Sequence, residues 1–142
     1  MSTTGLPAID HTVQLTNEWL RDLMRMLDWE DKHRAYRLLR VTLQNLRDWL
    51  SVDEASNLGA QLPTLVRGIY YEGWHPAGTP THPRKREDFL ARIEKAFTTD
   101  PLDNTEEAVS AVFALLDRHV TEGEVEDVRE AMTKHLRELW PA

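Results

Sequence analysis

The 142-residue sequence predicts an all-α protein: a six-helix bundle made of two three-helix units, offset by 70 residues and packed around one core. Three observations predict it. Apolar residues step by three and four along most of the chain, the spacing of one helical face. No segment alternates with period two for long enough to make a strand. Shifting the sequence by 70 residues lays the apolar positions of the second half on those of the first without a gap.

The elements follow in order. A helix expected over 12–28 carries Trp19, Leu20, Leu23 and Leu27 on one face. A second, over 32–50, carries Leu39, Leu43, Leu46 and Leu50. The third, over 52–72, opens on Ser51-Val52-Asp53-Glu54 and buries Ala55, Leu58, Leu62, Val66 and Ile69. Its opening fits a capping box, in which a hydroxyl and a carboxylate three residues on satisfy each other's unpaired amides. Pro63 lies inside this helix and lacks an amide hydrogen, so a kink or split is expected near Leu62.

Unit one thus runs over about 10–74, and a connector over 75–83 follows. Pro76, Gly78, Pro80 and Pro83 exclude helix and strand there. In unit two, about 84–140, helices are expected over 84–98, 105–120 and 122–140. Phe89, Leu90, Ile93 and Phe97 take the places of Trp19, Leu20, Leu23 and Leu27. Asp100-Pro101 breaks the chain and Asn104 caps the next helix, whose face is Val109, Phe113, Leu116 and Val120. Thr121 and Glu124 form the second capping box, ahead of Val125, Val128, Met132, Leu136 and Leu139. A unit of this size is marginal alone, so the halves are expected to share one core.

Composition excludes several classes of function. The absence of cysteine removes disulfides, thiolate metal sites and a cysteine nucleophile. No apolar run approaches the roughly 20 residues of a membrane-spanning helix, and the N-terminus has neither the basic nor the apolar region of a secretory signal. The expectation is a soluble, cytoplasmic protein. The net charge is −7, and residues 101–142 carry 4 basic against 10 acidic side chains, which repels phosphate. Arg84-Lys85-Arg86 is the one basic cluster and reads as a solvated helix start. Neither a nucleic acid nor a membrane is expected as partner.

Where the two units differ, the sequence is most informative. Gly59, Pro63 and Gly68 stand opposite Arg129, Thr133 and Glu138. The segment after Pro63, from Arg67 to Pro76, holds Tyr70, Tyr71 and Trp74 with Arg67, Glu72 and His75. Aromatic and arginine side chains anchor binding surfaces. The same residues also plug the ends of helical bundles, with their polar atoms on backbone. Arg67, Tyr71, Trp74 and His75 are the candidate ligand-binding residues.

The run Leu62-Pro63 through Arg67-Gly68, Tyr71, Gly73-Trp74-His75-Pro76-Ala77-Gly78 and Arg86-Glu87-Asp88-Phe89-Leu90 resembles the bacterial domain-of-unknown-function family numbered 2267. Arg34-Ala35-Tyr36 and Leu58-Gly59-Ala60-Gln61 match the same pattern, and the likeness extends over about 10–140. The resemblance implies a compact α-helical protein of bacterial origin. It implies no activity, cofactor or catalytic residue.

No catalytic constellation is legible. The six histidines lack ligand spacing, the serines lack a nucleophile elbow and the glycines form no phosphate loop. No catalytic residue, metal ligand or cofactor is assigned. Glu122, Glu124, Glu126, Asp127 and Glu130 lie where a helix N-terminus favours negative charge. Arg67 and Arg137 recur near helix C-termini, where the dipole favours a cation. His119 and His135 replace Trp49 and Leu65 beside the apolar stripes and are the candidates for an alternative reading, a haem- or metal-associated protein. The leading expectation is a non-catalytic module that binds a protein or small ligand. A homodimer is also compatible with the stripes.

Overall fold

The computed structural model describes residues 4–80 and 85–141. Among them are eight α-helices, two single turns of 3-10 helix and no strand. Helix α1 (Pro7–Leu27) begins earlier than the apolar stripe because Pro7, at its first turn, loses no hydrogen bond there. It ends at Asp28, whose left-handed φ of 56° suits a short polar side chain. Asp31 then caps α2 (Lys32–Trp49), its carboxylate accepting from the amides of His33 and Arg34.

Helix α3 (Val52–Ala60) starts at Ser51, whose hydroxyl accepts from the Glu54 amide. The chain breaks at Pro63, which caps α4 (Thr64–Tyr71). In the connector, Pro76–Gly78 makes one 3-10 turn, which the prolines tolerate because it needs few amide donors. Helix α5 (Arg86–Glu94) tightens into a 3-10 turn at Lys95–Phe97. Asn104 caps α6 (Thr105–His119), and Thr121 caps α7 (Glu122–Ala131). Helix α8 (Lys134–Arg137) closes the described chain. Arg84 and His82 lie outside the described residues.

The six expected helices are eight among the described residues; the split near Leu62 is as Pro63 predicts, and the division of the sixth helix is a correction. The third and sixth are each divided. Pro63 divides the third, as its missing amide requires. The sixth has no proline at its break. Met132 is extended there, and the Thr133 hydroxyl starts α8 by accepting from the Leu136 amide at 3.4 Å. Pro63 and Thr133 hold the same N-cap place in helices that begin 70 residues apart. The capping boxes are also only half made. Their hydroxyls are used, but Glu54 Oε2 and Glu124 Oε1 are buried without a hydrogen-bond partner.

One hydrophobic cluster runs from Trp19 to Trp140 and takes in both halves of the sequence. Helix α2 is its centre, with Leu38, Leu39, Leu43 and Leu46 fully buried. It packs on α1, α4, α5 and α6. An aromatic relay joins the halves. Trp49 meets Phe89 edge-on at 5.3 Å, Phe89 tilts against Phe113 at 6.2 Å, and Phe113 stacks on Trp140 at 4.5 Å. The Trp140 indole completes itself by donating to Asp117 at 2.8 Å. No helix among the described residues is long and apolar enough to cross a membrane.

Candidate functional site

The aromatic segment leaves the core at the end of α4, and a buried arginine on α2 fixes where it leaves. Arg47 is 3% exposed. Its Nη1 donates to the carbonyls of Tyr70 (2.9 Å) and Glu72 (2.8 Å). Helix ends leave such carbonyls without intrahelical partners, so a guanidinium is well suited to them. Asp48 balances the charge, pairing with Arg47 at 2.8 Å and with Arg92 at 2.7 Å. Gln44 adds a bond from its amide to the Ile69 carbonyl at 2.9 Å.

From this fixed end the aromatics step outward. Tyr70 is fully buried and donates to the Ala55 carbonyl at 2.8 Å. Burial, then the neighbouring Tyr71, pushes its phenol far above the ordinary range, so it stays a neutral donor. Tyr71 is half-buried, its ring tilted against Tyr70 at 5.0 Å and its hydroxyl 3.4 Å from the Ser56 carbonyl. It lies over Gly59 of α3, where a Cβ would overlap the Tyr71 hydroxyl. Trp74 stacks on Tyr71 at 5.3 Å and 22°. Its indole Nε1 is closed to water and has no acceptor. His75 is exposed and opens the 3-10 turn, accepting from the Gly78 amide at 2.9 Å. Tyr71 and Trp74 form one stacked ledge, and the exposed His75 follows it in the chain.

Arg67 is placed differently. Its Nε donates to the Gly59 carbonyl at 2.8 Å, and its Nη2 to those of Ala60 (3.3 Å) and Leu62 (2.8 Å). It reaches back across the Pro63 break and caps α3. Arg137 does the same across the second break, donating to Arg129 at 2.9 Å and Met132 at 3.1 Å. Both serve the carbonyls of the preceding helix rather than the dipole of their own.

The two histidines of the alternative reading sit apart in kind. His119 is stacked on Trp19 at 4.8 Å, and its Nε2 lies 2.9 Å from Asp22 Oδ2. Iron ligation through that nitrogen would first require it to leave Asp22. His135 is exposed on α8, and its carbonyl faces Arg86. Among the described residues no group of three His, Asp or Glu side chains is placed to hold a metal ion.

Sequence reasoning missed a second constellation. The Arg34 guanidinium lies over Trp29 (4.9 Å) and Phe97 (5.2 Å), and Arg37 lies over Phe97 at 4.8 Å. Both arginines pair with Asp100, at 2.8 and 2.6 Å, and so clamp the loop before α6. Arg34 stood in the motif without a role, and only the fold brings Asp100 to it. Beyond this loop lies an open cleft of about 570 Å³ between Leu90, Glu94, Phe97, Leu102, Asp103 and Glu106. Its charged lining is acidic, and Glu106 is already paired with Arg86 at 2.8 Å.

Comparison with known proteins adds a family and no activity. The family model described as "Uncharacterized conserved protein (DUF2267)" matches residues 16–139, nearly the whole chain. No curated protein matches it.

Proposed function

Since the chain belongs to this family of uncharacterized conserved proteins, whose description assigns no reaction, we propose that it is a non-catalytic binding module and that the ledge of Tyr71 and Trp74, together with His75, is its recognition surface. The observation that carries the reading is the Trp74 indole, half-buried, stacked on Tyr71 and left with a donor that nothing accepts from. An unmet buried donor costs about 1–3 kcal/mol. Binding turns the indole so that this donor reaches a partner's carbonyl, which removes that cost, and the stacked rings supply rigid contact area. Arg47 and Arg67 support the ledge from behind by fixing the ends of α4 and α3.

The test uses the full chain as bait for proteins of its own host, with the Trp74 indole N–H resonance as the reporter. Trp74→Phe assigns that resonance. A captured protein that shifts it, and is lost to a Trp74→Ala, His75→Ala double variant of unchanged circular dichroism, is the expected result. Full capture by that variant overturns the reading.

A further inference from the structure

The N-terminal turns of α3 and α7 hold a carboxylate pair that the ledge does not use. Glu54 and Glu124 are each the third residue of their helix, and α3 packs on α7. Glu124 is 9% exposed, and its Oε1 is shut off from water with no partner. Glu54 Oε2 is in the same state on the facing helix. Neither reaches back to its own N-cap amide, the usual use of a glutamate at this place.

The charges that act on the pair are acidic on both sides: Asp53 and Asp127 on Glu54, Glu54 and Asp127 on Glu124. Arg129, in the last turn of α7, is not among the charges that act on either carboxyl, and the cations on the neighbouring helices are engaged elsewhere. Arg67 of α4 is bound to the carbonyls that end α3, and Arg47 of α2 to those of Tyr70 and Glu72. Arg118 and His119 of α6 face Asp22, while Asp117 takes the Trp140 indole. Tyr70 of α4 lies near enough to feel the Glu124 charge, but its hydroxyl is committed to Ala55.

We propose that Glu54 and Glu124 form a proton-operated lock on the α3–α7 interface, shut while the pair retains a proton and loosened when both carboxylates are charged. Two buried oxygens without donors are tolerable when one of the carboxyls is itself a donor, and unfavourable when neither is. Burial first, then the neighbouring acids, raises both carboxyls above their ordinary 4.5. The folded chain thus holds a proton that the unfolded chain gives up. The stability so contributed is complete below 4.5 and is lost as pH rises through the raised value.

The experiment follows the Tm of the full chain between about pH 4 and 8 for the natural sequence, Glu124→Gln and Glu54→Gln. Below 4.5 the three coincide. At pH 8 the glutamine variants exceed the natural sequence by about 2–4 °C. Hydrogen exchange supplies a local readout. The Glu54 and Glu124 amides, bonded to Ser51 and Thr121, lose protection several-fold relative to α2 between the two pH values. Glutamine variants that track the natural sequence throughout overturn the proposal, as does a uniform change of protection. If a variant fails to fold, carboxyl NMR of the natural sequence decides: two glutamates titrating at or below 4.5 overturn the lock.

Discussion

Tyr71 lies across Gly59, and the contact explains why α3 has a glycine one residue before its end. The hydroxyl end of the phenol rests on bare backbone, and Trp74 stacks on the same ring. Gly68 offers the contrast, since nothing lies within 4 Å of a Cβ placed there and it sits inside α4. Gly59→Ala is expected to lower stability by about 1–3 kcal/mol from overpacking, partly offset by better helix propensity. Gly68→Ala is expected to raise it by about 0.5–1 kcal/mol. Urea unfolding of both variants checks the opposite signs, and near-ultraviolet circular dichroism should change only for Gly59→Ala.

Arg67 and Arg137 cap the helices before them with the same geometry but differ in exposure, Arg67 being half-buried and Arg137 exposed. Arg67→Ala should therefore cost about 1–2 kcal/mol and Arg137→Ala less than about 1 kcal/mol. Lysine at position 67 restores little, because one ammonium cannot match the fork that reaches three carbonyls. Denaturant midpoints rank the three variants.

Arg47 is the most costly charge to remove. Arg47→Leu leaves the carbonyls of Tyr70 and Glu72 without their donor and leaves Asp48, whose side chain is 13% exposed, with Arg92 alone. Breaking a buried pair from one side costs about 3–5 kcal/mol. The expected outcome is a chain folded only at low temperature, measured by thermal unfolding.

Asp100 gives an acid-sensitive contribution of opposite sign to that of the glutamate pair. The hydrogen bond from Arg37, followed by that cation's charge and then Arg34, outweighs partial desolvation and holds its carboxyl below the ordinary 3.8. The stabilisation is present above 3.8 and disappears as pH falls through the lowered value. Asp100→Asn should thus lower Tm at neutral pH, and the gap to the natural sequence should close as pH falls through the lowered value. Added salt narrows the gap, since the group is surface-exposed.

Much of this architecture is legible in the sequence, and the exceptions have physical reasons. Helical periodicity located every long helix, and Pro63 announced its own break. Thr133 did not, because a threonine inside an apolar stripe is compatible with a continuing helix; its alignment with Pro63 was the available signal. Pro7 was a start signal too, but it precedes the stripe on which the helix was drawn. At the candidate site, Tyr71, Trp74 and His75 fall within one short stretch of chain, so their closeness is already visible in the sequence. Arg67 was not readable, since its carbonyl partners lie five to eight residues back across a break. Arg34 and Asp100, 66 residues apart, meet only through tertiary packing.

The hold of Arg47 on the last turn of α4 has a consequence for how the molecule breathes. Helix ends normally fray, and an isolated helix of eight residues would scarcely persist in water. Here the fraying end is fastened to the most buried helix of the protein. The amides of Ile69 and Tyr70 should then exchange only through opening of the whole chain, placing a short peripheral helix in the slowest cooperative unit. Any partner that meets the ledge meets a surface that moves with the core.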